Sequence, residues 1–358
     1  MTLESPGCRL VLGILCLGLA LGGCSAPTPK AGCPSDWDAA VVWSTETGAG
    51  SELQFFSRGA AVGTQQIPYL AISPSSEIAR DGDTVLLVAN GPGGIGDATA
   101  VRFHTATCTI DATPVAEHVV LAATMDGSAF FTASWLNGSA QVFRHEFGSD
   151  ANLGASFPGM IISALALDGG RLYALGSDQA DFSSVVTVLD ASTLETLSTV
   201  SVSRAKGGPA SAAVVAGKLV FPVTSTGRDD NAGHWLGVMD PSDGKVGLVD
   251  LGEASPYGVV ADGTDVFVAH TFMNPAHGPM SQYRGISRYD TSTGTVTAYT
   301  VAQGVRHIAV DDRVLAALAT DDSSDYLLAL DRPSLSDGTQ VALVAPDGTD
   351  YSAGVLVP

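Results

Sequence analysis

The chain is short of charge, and the charge it has is mostly of one sign. Only 15% of its 358 residues are Asp, Glu, Lys or Arg, and 17 basic residues stand against 37 acidic ones. Soluble domains carry about 25% charged residues, so Ser, Thr, Gly and Asp must cover most of this surface. The net charge of −20 excludes nucleic acid as a partner, because phosphates would be repelled rather than neutralised. A run long enough to span a membrane is also missing. Mean hydropathy is +0.24, yet the only long apolar stretch, residues 10–23, falls short of the roughly 18 residues a span requires. Beyond it there is no apolar spacing of helical period and no helix cap. No G-x-S-x-G elbow occurs, so a serine hydrolase has no motif to stand on. Acidic loops such as Asp321-Asp-Ser-Ser-Asp325 lack the EF-hand spacing. Gly91-Pro-Gly93-Gly-Ile-Gly96 matches G-x-G-x-x-G, but residues 98–110 after it read as strand, where a dinucleotide site needs a helix.

What is present begins with an address. Arg9, the apolar run and the small residues closing it have the order of an export signal. Leu21-Gly22-Gly23-Cys24 resembles the lipobox of bacterial lipoproteins. That resemblance implies removal of residues 1–23 and lipidation of Cys24, and it places the protein in the bacterial cell envelope, anchored to the membrane by its lipid. With Ser25 rather than Asp following, it implies the outer membrane in a host that has one. Residues 24–35, rich in Pro, Ala and Gly, are expected to be a flexible tether. Of the five cysteines, Cys8 and Cys16 leave with the signal and Cys24 takes the lipid. Cys33 and Cys108 remain, as a disulfide or as two separate buried thiols.

Residues 36–358 are built from a repeat. Short runs of Val, Leu, Ala, Phe and Tyr alternate with Gly/Asp/Ser turns, the signal of strands and hairpins. Asp81-Gly82, Asp126-Gly127, Asp168-Gly169, Ala216-Gly217, Asp262-Gly263 and Asp311-Asp312 recur at spacings of 45, 42, 48, 46 and 49 residues. Asp190, Asp240, Asp290 and Asp331 each close an apolar run and open a second turn, where Asp and Ser side chains can bond forward to the backbone. Each unit thus supplies four short strands, A to D, which is a propeller blade. Six complete units start near residues 77, 121, 163, 211, 257 and 306. Before them, residues 39–45, 52–56 and 63–67 provide strands B, C and D alone, and residues 352–358 match the absent strand A. The expectation is an all-β, seven-bladed β-propeller whose C-terminal strand completes the first blade. The stretch from Pro256 to Ala269 resembles the repeat of bacterial propellers of the YVTN and quinoprotein-dehydrogenase-like group. This resemblance implies fold rather than activity, since such propellers host unrelated sites.

Ring geometry then selects candidate sites. The A–B and C–D turns are short and alike, whereas the B–C loops are long and dissimilar, and variable loops on a rigid scaffold are where sites tend to be built. Small residues dominate the start of strand A, but Glu77, Tyr257, Arg306 and His307 break that rule at the mouth of the channel. They are candidates to bind an anionic or polar ligand or to act as acid and base; alternatively Glu77 pairs with Arg306 or His307 and plugs the channel. In blade 6, His270, Met273, His277 and Met280 have the donor chemistry of a copper site, the one cofactor the sequence suggests. His104 and His145 fall at the register of the turn aspartates, and His118 in the crossover between blades 2 and 3. Cys33 and Cys108 come to the same side of adjacent blades, so a Cys33–Cys108 bridge is expected. The function expected is a lipid-anchored, non-catalytic scaffold whose partner is an envelope protein, a glycan or a small polar ligand. The alternatives are an enzyme of lactonase or quinoprotein-dehydrogenase type in the funnel and a copper-binding protein. Resemblance to such lactonases would imply a metal held by carboxylates and Asn near the axis, and here only Glu77 is acidic at that level.

Overall fold

The computed structural model describes residues 30–358 except segments 46–49, 70–71, 73–77, 91–97, 226–231, 272–283 and 336–337 and positions 118, 302, 322 and 333. Among the described residues there is no helix, and the strands form seven sheets, antiparallel throughout except for one short parallel pair at the edge of blade 1. In chain order, β1 (Lys30–Ala31), β2 (Ala39–Ser44), β3 (Ser51–Ser57) and β4 (Ala60–Ile67) begin blade 1. Blade 2 is β5 (Ala79–Asp81), β6 (Thr84–Ala89), β7 (Thr99–His104) and β8 (Thr109–Pro114). Blade 3 is β9 (Val120–Asp126), β10 (Ala129–Leu136), β11 (Ser139–Glu146) and β12 (Asn152–Pro158). Blade 4 is β13 (Met160–Asp168), β14 (Arg171–Asp178), β15 (Ser183–Asp190) and β16 (Thr196–Lys206). Blade 5 is β17 (Ala213–Val215), β18 (Lys218–Ser225), β19 (Ala232–Asp240) and β20 (Lys245–Asp250). Blade 6 is β21 (Pro256–Asp262), β22 (Asp265–His270), β23 (Ile286–Asp290) and β24 (Thr295–Tyr299). Blade 7 is β25 (Gly304–Val310), β26 (Val314–Thr320), β27 (Asp325–Asp331) and β28 (Thr339–Ala342).

The last strand, β29 (Tyr351–Leu356), pairs antiparallel with β2, so the order in blade 1 is β1-β4-β3-β2-β29. The first and last described strands therefore share one sheet, and the ring closes as the repeat predicts. One feature was not in the pattern. Lys30–Ala31, within the segment read as tether, lies parallel to Gly63–Thr64 as a fifth strand on the outer edge of blade 1.

Each sheet buries both faces, which is why its strands read as continuous apolar runs rather than as alternating ones. In β6, Val85, Leu87 and Ala89 pack against blade 1, whereas Leu86 and Val88 pack against blade 3. Seven hydrophobic clusters result, one at each blade-to-blade interface, including that between blades 7 and 1.

The turns obey local chemistry. In three A–B turns the Asp is the last paired residue of strand A, and the glycine alone takes a positive φ at the first corner: Gly82, Gly127 and Gly263 at 55°, 40° and 62°. That is the pattern of a type II′ turn, which suits the twist of a hairpin. Blade 5 differs, with both Ala216 and Gly217 at positive φ. The C–D aspartates act as expected: Asp290 Oδ1 accepts the Ser292 amide at 2.8 Å and hydroxyl at 2.6 Å, as Asp190 does at Ser192. Hydrogen bonds from Ser292 hold the Asp290 carboxyl down at about 2.

Candidate functional site

A central cavity of about 340 Å³ runs along the ring axis, and all seven blades line it through their first strands. Those strands are not regular. In β9, β13, β21, β25 and β29 the register slips at one place, leaving Leu121, Ser163, Tyr257-Gly258, Arg306 and Ala353 without a cross-strand partner. These are β-bulges, which bend a strand and re-aim a side chain. They fall where the sequence places its small-residue ring and the exceptions to it.

The bulge ring ties blade to blade. Ser163 Oγ donates to the Pro209 carbonyl at 2.7 Å, reaching from blade 4 to blade 5. Ser211 Oγ donates to the Tyr257 carbonyl at 3.1 Å and accepts the Val259 amide at 2.8 Å, reaching from blade 5 to blade 6. Arg306 Nη2 donates to Ser352 Oγ at 2.8 Å, joining blade 7 to the closing strand. All three ties to Pro209, Tyr257 and Ser352 span 46 residues, about one blade, the first two from a Ser hydroxyl to a backbone carbonyl and the third from a guanidinium to a Ser hydroxyl. Arg306 also pairs with Asp325 Oδ2 at 2.8 Å, and the Ser352 hydroxyl donates to that same oxygen. This Arg306–Asp325–Ser352 clasp is mostly buried, with the two charged side chains 12% and 24% exposed.

Of the four funnel candidates, Tyr257, Arg306 and His307 line the cavity together, and Glu77 lies outside the described residues. Burial raises the Tyr257 phenol above its ordinary range, against a smaller opposing pull from the Arg306 charge. The partner of Arg306 is Asp325 at the start of β27, a residue the sequence offered only as a loop acid. Ser163, Ser211 and Ser352 were also missed as functional positions; the signal for the first two was a hydroxyl recurring at one register among small residues, whereas Ser352 lies one residue before that register.

In the blade 6 set, His270 is fully buried at the end of β22. Its Nδ1 donates to the Ala254 carbonyl at 3.0 Å and its Nε2 accepts from the Ser287 hydroxyl at 2.8 Å. Burial drives its pKa down to about 4, so the ring is neutral. Met273, His277 and Met280 lie outside the described residues, as does Cys24. Among the described residues no three His, Cys, Asp or Glu side chains gather as a metal site. Cys33 and Cys108 are joined in a disulfide, with Cα atoms 5.9 Å apart, beside the cluster between blades 1 and 2.

A buried polar group elsewhere escaped the sequence reading. Thr132 and His145 Nε2, the latter at 3.0 Å, both donate to Glu117 Oε1 between blades 2 and 3. His145 also stacks on Phe130 with centroids 4.6 Å apart. Burial alone would raise the Glu117 pKa, but the bonds from His145 and Thr132 together outweigh it and hold the carboxylate ionised. The expected register of His145 is corrected by one residue. Glu146 opposes Ala129 at the turn position and His145 opposes Phe130. A one-residue slip moves a side chain to the other face of a sheet, here into the interface.

The fold and channel define the class: a closed seven-bladed β-propeller. No protein-family model and no curated protein sequence matches the chain. Solved structures do. A Bacteroides uniformis protein provisionally described as a 6-phosphogluconolactonase is 14% identical with a TM-score of 0.60, covering 89% of this chain and 99% of that one. Kuenenia stuttgartiensis hydrazine synthase is 16% identical with a TM-score of 0.53, over 72% of this chain and 76% of that one. The propeller domain of the Trilobed protease from Pyrococcus furiosus, described as an open velcro topology, is 14% identical with a TM-score of 0.50, over 75% and 82%. At these identities the likeness is one of fold.

Proposed function

We propose that this propeller is a lipid-anchored scaffold of the bacterial envelope that binds a partner through its B–C loop face. One contrast carries the reading. The A–B connections are two or three residues long in every blade from 2 to 7, whereas the B–C connections run from two residues in blade 3 to fifteen in blade 6. On the opposite face the C–D connections range only from two to seven residues. Length thus varies most on the B–C face, above a ring whose inner rim is committed to ties between blades, and that is the arrangement of a rigid frame presenting adaptable loops. The lipobox-like Leu21–Cys24 supports the anchor, with the chain entering the fold at the outer edge of blade 1. Two experiments test this. Radioactive palmitate should label the wild type in bacteria and not Cys24→Ala. Cross-linking in intact envelopes should capture a partner that is lost when residues 272–283 are replaced by a short Gly-Ser turn; capture that survives every B–C loop replacement removes the reading.

A second reading rests on the cavity, whose size falls within the range that holds small ligands and whose wall carries Tyr257 and His307. Turnover of a lactone, or of an alcohol with added quinone cofactor, that disappears in His307→Ala would favour it over the scaffold. Copper in the blade 6 loop stands or falls with uptake of Cu(I) by purified protein and its loss in Met273→Ser/Met280→Ser.

A further inference from the structure

Three large apolar side chains stand exposed on the B–C face of blades 3 and 4. Trp135 and Leu136 end β10 and are 46% and 47% exposed, and Phe182 in the B–C loop of blade 4 is 57% exposed. The two loops are one structure: the Gln179 side-chain amide donates to the Gly138 carbonyl at 3.4 Å and to the Met160 carbonyl at 3.3 Å. Phe182 is the telling residue. Its φ is 58°, in the left-handed region that a bulky side chain occupies at a cost of roughly 1–2 kcal/mol. Leu194, at φ 57°, offsets the same cost by burying its side chain to 4% exposure. Phe182 gains no such burial. Strain held in place by the Phe182 amide on Asp178 and the Gly207 amide on Phe182, with the ring left in water, points to a role outside the fold.

We propose that Trp135 and Phe182 form a docking patch for a short, apolar segment of a partner protein that carries Lys or Arg beside its apolar residues. Trp135 shares the face of β10 that packs on blade 4, whereas Leu136 lies on the face toward blade 2. The proposal rests on the scaffold reading and names the partner's chemistry. The exposed apolar area of the two rings is about 200 Å², well below the roughly 800 Å² per side of a stable dimer. A peptide segment fits it and a second folded copy does not. Sugars are disfavoured because the nearby polar groups are occupied: Asp178 Oδ1 accepts the Ala180 amide, Asp181 Oδ1 the Ser183 amide, and Gln179 donates across the loops. Charge sets the sign. Asp178 and Asp181 stand against Lys206 at the rim, on a chain of net charge −20.

The test uses the mature protein and three fluorescein-labelled heptapeptides: Lys-Leu-Phe-Lys-Leu-Ile-Lys, its Glu-for-Lys counterpart, and a Ser-for-apolar counterpart. Anisotropy at low salt should show binding of the first alone. Trp135→Ser and Phe182→Ser should each weaken it about tenfold, the typical loss on truncating an aromatic anchor. Leu197→Ser, an equally exposed residue on the opposite face, should leave it unchanged. Equal binding of the acidic peptide, no binding of the basic one, or full binding by Trp135→Ser overturns the proposal. So does a concentration-dependent dimer in ultracentrifugation, or retention on immobilised oligosaccharides, that is abolished in Trp135→Ser. Should envelope cross-linking capture a partner that both Ser variants retain, this patch is wrong and the scaffold reading survives; should the wild type capture none, the scaffold reading itself fails.

Discussion

Closure of the ring predicts energetic coupling between residues more than three hundred positions apart. Val41 of β2 and Val355 of β29 are directly opposed, are 0% and 1% exposed, and share the cluster between blades 7 and 1. Deleting the terminal strand would be a poor probe, because the chain entropy regained rivals the burial lost. A point substitution leaves that entropy alone. Val355→Ala removes two methyl groups, about 1.6 kcal/mol of transfer free energy, and an incompletely filled cavity brings the cost to about 2–3 kcal/mol. For about 320 folded residues the unfolding entropy is near 0.7 kcal/mol/K, so Tm should fall by about 3–4 °C. Val41→Ala should cost a similar amount. Because each side chain is a wall of the other's cavity, the double variant should lose about 1 kcal/mol less than the sum. Val355→Ala combined with Val220→Ala, in blade 5, should be additive within about 0.4 kcal/mol. Calorimetry with urea titration gives all five values. Strict additivity for Val41 and Val355, or an unchanged Tm for Val355→Ala, would refute closure through β29.

Other consequences are as direct. His270 is held neutral, with a folded pKa near 4 against an unfolded value near 6.5, so its contribution is full above pH 6.5 and is lost as pH falls toward 4. Unfolding free energy should drop by about 3 kcal/mol across that window, and His270→Gln should flatten the slope in urea titrations at stepped pH. Asp325→Ala strands the buried Arg306 charge and should cost about 3–5 kcal/mol, while Arg306→Leu/Asp325→Ala should cost less than Asp325→Ala alone, by urea midpoint. Ala216→Asn, at a positive φ that Asn tolerates better, should raise stability by about 0.5–1 kcal/mol in the same assay.

The architecture was legible because a blade is a local object. Turn chemistry such as Asp290 with Ser292 is written within three residues, and both-face burial leaves uninterrupted apolar runs. The shared blade was legible by subtraction, one strand missing at the front and one spare at the back. The site was less so. Arg306 stood out as a cation among small residues, but its partner Asp325 comes from a different strand, placed by a pairing that periodicity does not state. The buried Glu117–His145 pair was hidden by a one-residue register error in a blade with a weak turn signature. His270 resembled a ligand because sequence records a nitrogen and not the carbonyl and hydroxyl that engage it.

The entry of the chain has a mechanical consequence. A pull on residues ahead of Lys30 passes through two paired residues at the rim of blade 1 and then meets Cys33, which is covalently joined to Cys108 of blade 2. Force arriving from that side is thus shared by two neighbouring sheets before it can peel either, and the seam zipped by β29 lies on the far side of blade 1, out of the load path. Under reducing conditions the same force would bear directly on β2, the strand to which β29 is zipped.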